Sequence, residues 1–312
     1  AAAVIFLLGG VVAQFVGNLV ASVGALSGLS YAARVGRVVQ YMISLFVVVL
    51  ALGGFPMRAQ VPDADSTRRF DEVLDVYVRD GFVDYRALKP SRAALDRYVA
   101  SLGNMSLDAA SPQEQVAFWV NAYNAIVLQT VLDHYPIQRR TNDYPANSIR
   151  QIPGAFESAT HRTAGRTVTL DQIETTVLPT FHDPRLFFAL GRGATGSGRL
   201  LSEAYAPDRL ERQLASVSAE CASRRQCVQV DANDNVMRVS SIFSWRREQF
   251  VEGYADRAST GFAERSPVER AVLAFIDPRM LSGERDFLVK NSFKMEYLPF
   301  DWTLNDLATR AH

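Results

Sequence analysis

The chain has 312 residues, 33 basic and 33 acidic, and therefore no formal net charge. The balance is uneven: residues 1–59 hold no Asp or Glu and only Arg34, Arg37 and Arg58, which leaves residues 60–312 with 30 basic against 33 acidic side chains. A mildly acidic body lacks the clustered cations that phosphate neutralisation needs, which excludes a nucleic-acid binder, and 48% hydrophobic with 21% charged content excludes wholesale disorder.

From Val38 to Pro56 no residue is charged, and Ile43–Leu52 is almost continuous apolar surface. Arg34 and Arg37 precede this run, and Gly53, Gly54 and Pro56 break it before Met57-Arg58-Ala59. A positive flank, an apolar run and a small residue at a cut site are the features of a signal peptide. The same uncharged stretch is just long enough to act as an uncleaved membrane anchor. Either way Arg34 and Arg37 stay cytoplasmic and the body is exported, to the periplasm or outside the cell. Residues 1–33 are apolar and rich in Gly and Ala. They are either a second membrane helix or translated sequence upstream of the true start. The second reading is preferred, because ordinary signal peptides have a short n-region.

In the body, Phe70, Val73, Leu74 and Tyr77 recur at helical spacing and predict an amphipathic helix. Phe82–Tyr85 reads as a short extended piece, and Leu95, Tyr98, Val99 and Leu102 form a second helical stripe. Ser111-Pro112-Gln113-Glu114 is a capping box with Pro at the first helical position, predicting a helix to about His134 that Tyr135-Pro136 stops. His161–Leu170 predicts a hairpin turning near Ala164-Gly165. Thr169–Gln172 caps a short helix that Pro179 ends, and Leu186–Leu190 is an apolar run suited to a buried strand.

A glycine-rich loop comes next, then a helix from about Pro207 to Ala222. Val228–Val230 and Val236–Val239 flank Asn233-Asp234-Asn235 as a hairpin. A second capping box, Ser266–Glu269, opens a helix through Ala271–Ile276, and Tyr297–Leu304 closes the chain. No repeat and no Pro/Ser linker divides this stretch. Residues 60–312 therefore read as a single α+β domain, helix-dominated with a small sheet and hairpins, behind the apolar leader of residues 1–59.

The helical segment Phe118-Trp119-Val120-Asn121-Ala122-Tyr123-Asn124-Ala125 resembles the F-W-x-N-x-Y-N-A signature of the domain-of-unknown-function family numbered 547. Other segments follow in that family's order: Val83–Tyr85, Leu170–Glu174, Asp183–Arg185 and Tyr297–Asn305. The resemblance spans about residues 66–308. It implies a secreted or lipoprotein-like bacterial type and no established activity. Many members resemble H-F-A-x-x-C-A-S followed by C-P after the D-P-R element. Here that stretch is Phe187-Phe188-Ala189-Leu190-Gly191-Arg192-Gly193-Ala194, then Ser197-Gly198, so the His and both Cys are replaced. Thiol chemistry at those positions is not open to this chain.

Several residues carry functional and structural readings side by side. Asn121 and Asn124 share one face of an otherwise apolar helix, with Trp119 and Tyr123 alongside. They line the floor of a pocket, or they clamp the backbone of a loop. The loop Gly191–Arg199 contains a literal GxGxxG, but Asp231 lies 35 positions beyond Gly196, where a dinucleotide site wants an acid about 20 residues on. No cofactor is expected. In a softer version, backbone N–H groups with Arg192 and Arg199 hold a carboxylate or phosphate; otherwise the two arginines pair with surface acids.

Glu174 is a candidate general base or a structural partner of Arg185. Asp301, between Phe300 and Trp302, is a candidate acid with a raised pKa or a cap on local backbone. Cys221 and Cys227 suit an oxidising compartment and a disulfide worth roughly 2 kcal/mol; alternatively Cys221 is a buried thiol on the stripe of Leu210, Leu214 and Val217. The four histidines (His134, His161, His182, His312) have no ligand spacing, so no metal site is expected.

Two functions follow. The preferred one is an exported domain that binds a small anionic or peptide-like ligand in a cleft floored by Asn121 and Asn124 and rimmed by Arg192 and Arg199. The alternative is a hydrolase or acyl-transfer enzyme using Glu174 and Asp301. The enzyme reading requires one of those acids beside a pocket containing Asn121. The binding reading requires both acids to be occupied, with the glycine loop facing the cleft. The partner is a small molecule or peptide, and membrane attachment through the N-terminal segment follows if the leader is an anchor.

Overall fold

A computed structural model describes residues 64–280 and 282–310, together with Val38 and Met42. The expectations for the apolar leader and for residues 1–33 otherwise lie outside the described residues. Among the described residues no helix is long and apolar enough to cross a membrane.

Helix α1 (Ala64–Tyr77) turns Phe70, Val73 and Leu74 inward and packs on α3 (Ala93–Leu102), which buries Leu95, Tyr98 and Leu102. The Phe70 and Tyr98 rings stack with centroids 4.7 Å apart. Between the two helices lie a small hairpin, β1 (Val78–Arg79) with β2 (Phe82–Val83), and one helical turn, α2 (Tyr85–Leu88). Asp84 caps α2 by accepting from the Ala87 N–H at 2.9 Å.

Helix α4 (Pro112–His134) is the axis of the domain. Both halves of its capping box form: Ser111 accepts from the Glu114 N–H, and Glu114 accepts from the Ser111 N–H. Every side chain from Val116 to Leu128 is buried. A helix that is apolar on all faces must be surrounded, and α4 is in contact with α3 on one side and with the 170–181 segment on another.

Strands β3 (Thr160–Thr163) and β4 (Arg166–Thr169) form the expected hairpin. Its turn puts both Ala164 (φ 51°) and Gly165 (φ 70°) in the left-handed region, whose twist matches a two-residue hairpin. Thr169 and Gln172 complete a capping box on α5 (Leu170–Gln172). The sequence predicts that Pro179 ends this helix, but the chain widens into a π turn (Ile173–Val177) and tightens into a 3-10 turn (Leu178–Phe181). Pro179 stands in the first turn of that 3-10 segment, where its missing N–H costs no bond. The reversal comes at His182, with φ 52°.

The predicted strand at Leu186–Leu190 is absent. Pro184–Phe188 forms a 3-10 helix whose Asp183 cap accepts from the Arg185 N–H. Five apolar residues in a row suit any fully buried segment, and here a local cap and a proline at the first turn decide for the helix.

The second half holds α6 (Leu210–Ser223), β5 (Val228–Asp231), β6 (Val236–Ser240), α7 (Ser241–Trp245), α8 (Arg247–Tyr254), α9 (Pro267–Ile276), α10 (Ser282–Lys290), β7 (Lys294–Leu298) and α11 (Leu307–Arg310). Strands β5 and β6 pair antiparallel, and β7 joins β6 in parallel with Met237 opposite Met295 and Ser240 opposite Leu298. Phe188, Phe243, Phe250 and Phe275 form an aromatic core here, each ring within 6 Å of the other three. The fold class is α+β, with helices dominating small sheets.

Candidate ligand-binding site

The two asparagines of α4 act as backbone clamps. Asn121 donates its amide to the Tyr205 carbonyl and accepts from the Tyr205 N–H, both at 2.8 Å. Asn124 donates to the Ala189 carbonyl at 3.0 Å and accepts from the Gly191 N–H at 2.8 Å. Each carboxamide thus imitates a strand partner and fixes a crossing loop to the central helix. Both residues are 2% exposed, so the bonds also satisfy groups that would otherwise cost about 1–3 kcal/mol each. Trp119 is buried, and the buried Tyr123 donates its hydroxyl to Glu174 at 3.1 Å.

Arg192 does not rim a cleft. It is 1% exposed, because its guanidinium is turned inward onto Glu174, with Nη2–Oε1 at 2.6 Å and Nε–Oε2 at 3.0 Å. Nη1 donates to the Phe187 carbonyl at 3.1 Å, and Arg246 adds a second cation at 2.9 Å from Glu174 Oε1. Burial alone would raise the Glu174 carboxyl, but the charges of Arg192 and Arg246 outweigh it and hold the pKa at about 2. A carboxylate held there is a poor proton acceptor near neutrality. Arg185, the partner expected for Glu174, instead engages Asp183 and Glu211. Arg199 pairs with Glu220 and lies 3.8 Å from Asp80, committed to surface acids.

The glycine loop is bound to the C-terminal segment. Thr195 N–H donates to the Thr303 carbonyl and Gly196 N–H to the Asp301 carbonyl, each at 2.9 Å. The Asp301 carboxylate accepts from the Thr195 hydroxyl at 2.5 Å and from the Thr303 N–H at 2.9 Å. Of the two readings of Asp301 the geometry favours the cap on local backbone: partial burial pushes its pKa up, but these hydrogen bonds outweigh that and hold it below the ordinary aspartate range. Gly198 passes so close to the Phe188 backbone that a Cβ would lie 1.8 Å from its carbonyl oxygen. Close approach, not phosphate cradling, accounts for that glycine.

A cleft containing Asn121 does exist, and no residue of the glycine loop lines it. It encloses about 460 Å³ between α1, α3, α4 and the 205–209 turn. Tyr98, Met105, Phe118 and Tyr205 supply its apolar lining, and Asp71, Glu114, Asp208, Arg68 and Arg209 its charged lining. Asn124, Trp119, Arg192, Arg199, Glu174 and Asp301 do not line it.

Cys221 and Cys227 are joined by a disulfide that ties the end of α6 to the start of β5. Among the described residues no group of three or more His, Cys, Asp or Glu could hold a metal ion.

Sequence reasoning missed Arg246 and the contact of Trp245 with Phe300 and Trp302. The signal for the first was faint: Ser240 caps α7 and delivers Trp245-Arg246-Arg247 at its end, a bulky aromatic followed by two cations.

The fold and site define the class: an α+β domain threaded by one buried helix whose amide side chains hold two loops, with an open cleft beside it. Within that class the chain is similar to one family over part of its length: residues 107–220 match the family model described as "Protein of unknown function, DUF547". Two other motifs of the resemblance meet each other in space, since Val83 N–H donates to the Asn305 carbonyl and the Tyr85 hydroxyl donates to the Asn305 side chain at 2.9 Å, and the C-terminal one reaches the matched part where Ala194 pairs with Leu304. No curated protein and no solved structure gives a significant match to the chain.

Proposed function

We propose that this chain is an exported binding domain whose ligand is a short peptide or peptide-like molecule with a basic group, held in the Asn121 cleft. One observation carries the reading: the 460 Å³ cleft joins an aromatic wall to a rim of mixed charge. Such a mixture of apolar surface with a few convergent polar groups is what small-ligand sites share.

The rim favours a cationic group over the anion. Arg209 is engaged by Glu203 and lies 4.0 Å from Asp71, whereas Asp208 is exposed at the mouth and Glu114 carries a full negative charge at the first turn of α4. The anionic ligand rested on Arg192 and Arg199, both of which are committed to carboxylates elsewhere. The enzyme alternative is weakened by the same geometry, because Glu174 and Asp301 are each occupied and neither lines this cleft. Export is supported by the uncharged leader behind Arg34 and Arg37, and by a disulfide, which suits an oxidising compartment.

The test titrates the full chain with tetrapeptides that differ only in a central Lys or Glu. The lysyl peptide should bind, the glutamyl peptide should bind at least about fivefold more weakly, and Asp208→Lys should remove the difference. Equal affinity for the two peptides, or an unchanged preference in Asp208→Lys, would refute the assignment.

A further inference from the structure

We infer a second binding site, at the junction of the glycine loop with the C-terminal segment, that takes a neutral saccharide. A hollow of about 330 Å³ opens there, floored by Gly196 and walled by Pro299, Phe300 and Asp301 on one side and by Arg225, Gln226 and Gln229 on the other. It is separate from the Asn121 cleft and shares no lining residue with it.

One aromatic ring lines this hollow and two more pack against that ring. Phe300 lines it, and Trp245 and Trp302 pack against Phe300 with centroids 4.8 Å and 4.5 Å away and 6.1 Å from each other. The Arg150 guanidinium lies 4.4 Å from the Trp302 centroid and occupies one face of that indole. Trp245 keeps its surface open, being 42% exposed. A scattered exposed apolar residue needs no explanation, but a large ring left open in a continuous aromatic run beside a polar hollow is a different matter.

The polar groups around the hollow specify the ligand. Among the described residues, the side chains of Arg225 and Gln226 have no hydrogen-bond or ion-pair partner, and both are exposed. Asp301 offers lone pairs left over after Thr195 and Thr303. The lining holds one cation, Arg225, and one anion, Asp301, so it carries no net charge and favours no charged ligand. A pyranose ring matches this arrangement. Its C–H face stacks on an indole or phenyl ring, and its hydroxyls each donate and accept, which suits a side-chain amide, a guanidinium and a carboxylate held at fixed spacing.

The experiment is a saturation-transfer NMR titration of the full chain with maltotetraose, cellotetraose and chitotetraose. At least one should bind in the millimolar range or tighter. Trp245→Ala and Gln226→Ala, both at exposed positions and checked for an unchanged melting temperature, should each weaken that binding by about tenfold. If Trp245→Ala alters folding, Gln226→Ala decides. Absence of binding by all three oligosaccharides, or wild-type affinity in a correctly folded variant, overturns the inference.

Discussion

Arg192 Nη2 lies 2.6 Å from Glu174 Oε1, and both side chains are almost completely removed from water. The pair joins the glycine loop to the π turn, and Arg246 at the end of α7 and Tyr123 on α4 close on the same carboxylate. Four segments distant in sequence therefore converge on one charge. The residue that sequence patterns offered as a base or a structural partner proves to be the electrostatic centre of the domain.

Replacing Glu174 with Gln should be severe. It keeps the shape but leaves Arg192 buried with no counter-charge, and breaking a buried pair in this way costs about 3–5 kcal/mol. Chemical denaturation of Glu174→Gln against wild type checks this; a loss below about 1 kcal/mol would mean the pair is solvated.

The same carboxylate sets an acid limit. Its pKa is about 2 in the fold against an ordinary 4.5, so its contribution is complete above pH 4.5 and fades as the pH falls toward 2. The amount is roughly 3 kcal/mol by linkage. The stability gap between wild type and Glu174→Gln should accordingly narrow as the pH drops through that window. A gap that stays constant between pH 6 and pH 3 on melting curves would contradict a depressed Glu174.

Two glycines should respond in opposite degree to alanine. At Gly198 a Cβ would lie 1.8 Å from the Phe188 carbonyl oxygen, so Gly198→Ala must displace backbone and should cost about 3 kcal/mol or more, or prevent folding. At Gly165 a Cβ meets nothing within 4 Å, and only the φ of 70° resists, so Gly165→Ala should cost about 1 kcal/mol. Equal melting temperatures for the two variants would contradict the close packing of the glycine loop.

The disulfide closes a short loop, with Cys221 and Cys227 six positions apart. The double variant Cys221→Ala, Cys227→Ala should lose about 2 kcal/mol in the chain-entropy model without disturbing α6. Denaturation of the double variant checks the amount, and a loss above about 4 kcal/mol would point to packing lost as well as chain entropy.

Local devices were legible in the chain from the start. Ser111, Thr169 and Ser266 each cap a helix through a partner three residues on, and each box is formed in full. The Ala164-Gly165 turn and the uninterrupted apolar character of α4 were equally plain. Leu186–Leu190 was not, because a buried run of apolar side chains carries no period and hides whether it is strand or helix. Helices α7, α8 and α10 and strand β7 also escaped notice, and β7 pairs with β6 across more than fifty residues of intervening chain.

Family signature, α+β class, caps and charge asymmetry are consequences of residue order within a few positions, so order alone decides them. Which acid Arg192 meets, where the Asn121 amide points and which side of α4 stays open depend on contacts 18, 84 and more residues apart. Those choices come from burying one apolar helix on all sides. Once it is enclosed, every polar group carried inward must find its partner on whatever segment the packing brings past it.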